Sequence, residues 1–110
     1  MSKTLFEKIA DKEIPRRIEY EDDKYICIHD INPKKNTHLL IIPKKPIVSF
    51  VEAGSNIEDQ ELTKWMLDIA WKIIEKNQIK WCNLLFNSWA DHGQEIEHIH
   101  LHMMSDDKLI

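Results

Sequence analysis

Residues 98–104 read His-Ile-His-Leu-His-Met-Met, so three of the six histidines in the chain stand at every second position. Side chains of an extended strand alternate, which puts His98, His100 and His102 on one face and Ile99, Leu101 and Met103 on the other. Two chemistries use such a row. Histidines two apart on a strand can share a zinc ion, with a third ligand from elsewhere. An imidazole, with an ordinary pKa of about 6.5, can instead attack as the neutral base and donate as the cation, provided that a neighbour decides which ring nitrogen carries the proton. Spacing alone leaves both open.

Other elements must hold the row. His38-Leu39-Leu40-Ile41-Ile42 is a nearly continuous apolar run stopped by Pro43, as expected of a central strand buried on both faces. Segments 17–21 and 24–30 read as a hairpin around Glu21-Asp22-Asp23, and Asp30-Ile31-Asn32-Pro33 as a turn. Thr4 and Glu7 have the spacing of a capping box, so a short helix should follow with Leu5, Phe6 and Ile9 on its apolar side and end before Pro15. Segment 46–56 is expected to be loop with room for one helical turn.

Asn56 can cap a helix over 57–77, with Glu58, Asp59 and Glu61 near its start where the dipole favours negative charge. Leu62, Trp65, Ile69 and Ile73 mark one face, and Met66, Leu67, Ala70, Trp71 and Ile74 widen it. A helix that apolar in a small domain has a second surface to cover, which suggests a subunit interface. Segment 81–87 reads as a strand, 88–95 as a polar loop holding Gly93, and 96–104 as the last strand. The class is α+β: an antiparallel sheet of about five strands with one long and one short helix.

At 110 residues, 43% apolar and 31% charged, the chain should be a single soluble domain over 1–110. A net charge of -4 argues against general nucleic-acid binding but not against a small phosphate ligand, which local dipoles can hold. No apolar run approaches the ~20 residues of a membrane span. The acidic, discontinuous start reads as mature protein rather than a signal peptide. Cys27 and Cys82 are expected to be reduced core thiols, which fits a cytoplasmic protein.

The segment His98-Ile99-His100-Leu101-His102-Met103-Met104 resembles the motif of the histidine triad (HIT) family. Further segments resemble its Hint branch, in the same order along the chain. They are Leu5-Phe6-Glu7-Lys8-Ile9 with Lys12-Glu13-Ile14-Pro15, Glu21-Asp22-Asp23 with His29-Asp30-Ile31, and Thr37-His38-Leu39 with Ile42-Pro43-Lys44-Lys45. Asn87 and Gly93-Gln94 match as well.

The resemblance implies hydrolysis of purine nucleotide conjugates, such as nucleoside phosphoramidates, at the α-phosphate. By position His100 is the nucleophile that forms a covalent nucleotidyl intermediate. His102 is implied to stabilise phosphoryl charge and assist the leaving group, with His98 and His38 as a supporting pair. Asp30 is implied to bind the ribose diol. His29, Ile28, Ile31, Leu5, Phe6 and Ile9 would line the base pocket. Asn87 and the loop Gly93-Gln94-Glu95-Ile96 would hold the phosphate, where Gly93 lets backbone N–H groups approach an anion. The resemblance also implies a homodimer with a joined sheet, formed through the 57–77 helix and the 81–87 strand. No metal or other cofactor is implied, because Cys27 and Cys82 do not reproduce the spacing of the zinc-binding members.

Three departures stand out. Glu95 occupies a position that is usually serine, and an ionised carboxylate about 4 Å from a phosphate costs on the order of 4 kcal/mol at an effective dielectric of about 20. This predicts slower turnover on ordinary amidates, and it keeps open a nucleotide-binding module with reduced activity. His92 replaces a glycine beside Gly93. The chain runs only to Ile110, short of the family's longer tail, which would reach the partner's site.

Overall fold

The computed structural model describes residues 2–88 and 96–110. Thr4 caps α1 (Leu5–Ala10): its hydroxyl accepts from the Glu7 N–H, and the Glu7 carboxylate accepts from the Thr4 N–H. This is the reciprocal box that the spacing predicts. β1 (Ile18–Glu21) and β2 (Tyr25–His29) form the expected hairpin, closed by the Asp22 carboxylate accepting from the N–H groups of Lys24 and Tyr25. β3 (Thr37–Pro43) is buried at every position, as its apolar run requires.

α2 (Phe50–Ala53) is a single turn capped by Ser49. α3 (Ile57–Asn77) has the bounds read from its pattern, with Asn56 Oδ1 accepting from the Asp59 N–H. It ends on Gln78 in the left-handed region, at φ 54°. β4 (Asn83–Leu85) and β5 (Leu101–Ser105) complete the sheet. Strand order is β1-β2-β3-β5-β4, and all neighbours are antiparallel.

The odd-numbered positions of β2, β3 and β5 face α3. Cys27, Leu39, Ile41, Leu101 and Met103 pack there with Met66, Ile69 and Ile73. Burial pushes the Cys27 thiol up to about 12, so it is an inert part of this core. The even-numbered positions Ile26, Ile28, Leu40 and Ile42 pack on the opposite face with Phe6 and Ile9 of α1. None of the described helices is long and apolar enough to cross a membrane.

The helical turn expected within 46–56 forms as α2, capped by Ser49. Two boundaries differ from expectation. The strand expected over 81–87 is confined to three residues, since the Trp81 carbonyl accepts from the Ser105 hydroxyl instead of joining the ladder. The final strand starts at Leu101 rather than at 96. His98 N–H turns back to the Ile96 carbonyl at 2.8 Å, and Ile99 N–H donates to Ile47 at 2.6 Å. Backbone donors spent this way cannot enter the sheet.

Candidate active site

Alternation survives the bend. Ile99, Leu101 and Met103 lie in the α3-side core. The Phe6 ring meets His98 and His100 in edge-to-face contacts on the other side, with centroids 5.6 and 5.0 Å apart. β3 supplies the fourth histidine: Leu40 lies opposite His102 in the register, and His38 Nε2 reaches His102 Nδ1 at 2.9 Å.

The hydrogen bonds fix where each neutral ring keeps its proton, because backbone carbonyls only accept and backbone N–H groups only donate. His100 Nδ1 lies 2.8 Å from the His98 carbonyl, so Nδ1 carries hydrogen and Nε2 keeps the lone pair. His98 Nε2 lies 2.7 Å from the Pro43 carbonyl and carries hydrogen there, which leaves Nδ1 as an acceptor. His38 Nδ1 accepts from the Lys34 N–H at 3.2 Å, so its Nε2–H donates to His102 Nδ1. His102 is then left with hydrogen on Nε2. The row thus offers a nucleophilic nitrogen on His100 and a hydrogen-bond donor on His102.

Burial works against charging three of these rings, His102, His98 and His38. Burial pushes His102 down to about 4, with His100, His38 and Lys34 adding to it and Asp30 opposing. Burial also lowers His98, against the pull of its bond to Pro43. His38 is lowered by burial and by Lys34, and Asp30 works the other way.

A cavity of about 360 Å³ opens beside the row. Of the residues singled out from sequence, it is lined by Leu5, Phe6, Ile9, Ile28, His29, Asp30, Ile31, His38, Asn87, Ile96, His100 and His102. Ile31 lines it while 66% exposed, so it forms the rim. Asp30 does two jobs: Oδ1 accepts from the Asn32 N–H and closes the turn, while Oδ2 lies 3.4 Å from His38 Nε2. His29 is tied to Glu19 at 3.0 Å. His98 is fully buried and does not line the cavity, and His38 bonds to His102 rather than to His98. The two supporting histidines therefore do not act as one pair; each serves a different member of the row. Gly93, Gln94 and Glu95, with His92, lie outside the described residues.

Sequence reasoning missed Arg16, Asn32, Lys34 and Leu40, which also line the cavity. Arg16 and Lys34 follow Pro15 and Pro33 in turns, where a basic side chain carries no signal that separates it from ordinary surface. A larger groove of about 510 Å³ lies between α3 and the hairpin, lined by Tyr25, Leu62 and Trp65 among charged residues. Among the described residues no histidine lines it, and the histidine row borders the smaller cavity.

Asp30, His38 and His102 bring three donor atoms within 4.8 Å of one another, close enough to surround a cation. The Lys34 amide opposes this. It holds His38 Nδ1 as an acceptor, so the His38 Nε2 aimed at the cluster bears a proton rather than a ligand lone pair. A cation would have to break that bond and reverse the tautomer.

The family profile described as "Scavenger mRNA decapping enzyme C-term binding" matches residues 3–109. An uncharacterized HIT-like protein of Helicobacter pylori is 38% identical over 106 residues, covering 94% of this chain and 97% of that protein. A purine nucleoside phosphoramidase of Escherichia coli K12 is 38% identical over 105 residues, covering 92% and 85%. Among solved structures, a histidine triad protein from Clostridium difficile superposes with a TM-score of 0.88 at 29% identity, over 100% of this chain and 97% of that one. A HIT family hydrolase from Legionella pneumophila gives 0.84 at 40% identity, over 94% and 92%.

Proposed function

This chain belongs to the histidine triad family, and from that premise we propose that it is a nucleotide hydrolase acting on purine nucleoside 5'-phosphoramidates or related conjugates of AMP or GMP. The observation that carries this reading is the His100 ring: Nδ1–H is held by the His98 carbonyl, and the ring lines a cavity of about 360 Å³ whose walls combine apolar residues (Leu5, Phe6, Ile9, Ile28) with polar ones (Asp30, Asn87, His102).

In this reading the purine lies among Leu5, Phe6, Ile9, Ile28 and Ile31, beside His29. Asp30 accepts from the ribose hydroxyls. Asn87, Ile96 and the Gly93-Gln94-Glu95 segment hold the phosphate. The His100 Nε2 lone pair attacks the α-phosphorus, the bond from phosphorus to the leaving nitrogen breaks, and that nitrogen takes a proton from solvent water and departs as the neutral amine. Phosphorylated on Nε2 and protonated on Nδ1, the ring is a cation, and the His98 carbonyl that accepts from Nδ1–H stabilises it. His102 Nε2–H donates to a phosphoryl oxygen as negative charge builds. Water then attacks phosphorus and gives up a proton to solvent, which restores the one taken in the first step; the phosphorus–Nε2 bond breaks, its electron pair returns to neutral His100, and the nucleoside monophosphate departs.

Exposed apolar side chains on α3 (Leu67, and Trp71 at 62%) and on the edge strand β4 (Leu84 and Leu85) support a homodimer that joins the two sheets. A single domain working in the cytoplasm completes the proposal.

The test is to incubate the wild type and His100→Gly with an adenosine phosphoramidate. Wild type should release AMP and show an adenylylated protein on rapid quenching, and the variant should show neither. AMP release by the variant at the wild-type rate overturns the reading.

A further inference from the structure

The capping hydroxyl of α1 touches the histidine row. Thr4 Oγ1 lies 2.7 Å from His98 Nδ1, across 94 residues of sequence. A hydroxyl has one proton and two lone pairs. One lone pair takes the Glu7 N–H at 3.0 Å. The Pro43 carbonyl requires hydrogen on His98 Nε2, so Nδ1 can only accept. The Thr4 proton therefore goes to His98 Nδ1, and this assignment satisfies all three contacts at once.

We propose that Thr4 is a positioning residue for the hydrolysis: its proton holds the His98 ring in one tautomer and orientation, and so holds the backbone carbonyl that orients His100. The proposal rests on the reading of His100 as nucleophile. His98 has no solvent exposure, so water is not at hand to replace a lost donor. Its carbonyl lies in the bent segment outside the sheet, where the ladder does not hold it. The ring's two bonds, to Pro43 on β3 and to Thr4 at the start of α1, pin that segment from opposite sides. Phe6, two residues after Thr4, packs edge-to-face with both His98 and His100 and lines the cavity. One turn of helix thus carries both a wall of the substrate cavity and the pin of the nucleophile's support.

Loss of the hydroxyl leaves a buried acceptor unsatisfied, an effect large enough to lower kcat about tenfold with KM changed less than about twofold. The experiment compares Thr4→Val, Thr4→Ser and Glu7→Ala in steady-state hydrolysis of an adenosine phosphoramidate, alongside ¹⁵N spectra of the His98 ring. Thr4→Val should lower kcat and disturb the His98 nitrogens, and Thr4→Ser should restore both. Glu7→Ala, which weakens the cap and leaves the hydroxyl in place, should lower Tm and retain kcat. Wild-type kcat in Thr4→Val overturns the proposal, as does an equal loss of kcat in Glu7→Ala, which would assign the effect to capping alone. If Thr4→Val does not fold, the wild-type spectrum decides: hydrogen on His98 Nδ1 overturns the assignment. Absence of turnover in the wild type would instead sink the phosphoramidate reading, and the nitrogen spectra would still decide the role of Thr4.

Discussion

His102 should make the protein acid-sensitive by an amount that can be worked out. Unfolded, its pKa is about 6.5; folded, burial and neighbouring positive groups bring it to about 4. Between these values the unfolded chain binds the proton and the native state does not, so stability rises with pH. The contribution is complete above about pH 6.5 and is lost as pH falls through about 4. At pH 4.5 the loss relative to neutral pH is about 2 kcal/mol, a large share of the 5–15 kcal/mol typical of a small domain. Carboxylates confound a simple acid titration, because Glu21, Asp22 and Asp59 are held below their usual range and also lose stability in acid. A difference removes them. Urea unfolding followed by tryptophan fluorescence at about pH 7 and about pH 4.5 should show wild type losing about 2 kcal/mol more than His102→Asn, whose amide oxygen can still accept from His38 Nε2–H. Equal losses in the two proteins would refute the reasoning, and with it the view that folding keeps this ring neutral. The same neutrality has a catalytic side: between about pH 5 and 8 His102 should remain a hydrogen-bond donor of constant charge, so a fall of kcat with a midpoint near 6.5 cannot be assigned to it.

Asp30→Asn should weaken AMP binding about tenfold or more by calorimetry and leave 2',3'-dideoxy-AMP nearly unaffected, since it removes a charged acceptor for the ribose diol. Glu95→Ser should raise kcat/KM on an adenosine phosphoramidate by relieving like-charge repulsion; unchanged kinetics would mean that Glu95 is remote from the phosphate. Light scattering should give twice the monomer mass for wild type and the monomer mass for Trp71→Glu, because a charge buried at an apolar interface is costly. Added zinc should leave turnover unaffected at micromolar levels, as the Lys34 amide opposes ligation by His38; tight inhibition at those levels would show that the tautomer yields to the metal.

Much of the architecture was legible in local sequence. The bounds of α3 followed from Asn56 and the apolar period, and the α1 cap from Thr4 and Glu7. The burial of β3 followed from its nearly continuous apolar run. The common face of the three histidines followed from alternation, which persisted even where the strand itself did not. The family motifs named Asp30, Asn87 and His38 in advance, and the fold gathers all three around one cavity. The partners of each imidazole were not legible. Nothing in the order of residues told that His38 would bond to His102, that Pro43 would offer its carbonyl to His98, or that the hydroxyl capping the first helix would serve a histidine 94 positions away. Caps and periods arise from neighbours within a few residues and are written locally. The placement of a ring proton depends on which carbonyl or amide the packed sheet happens to bring within 3 Å or so, and only the tertiary structure decides that.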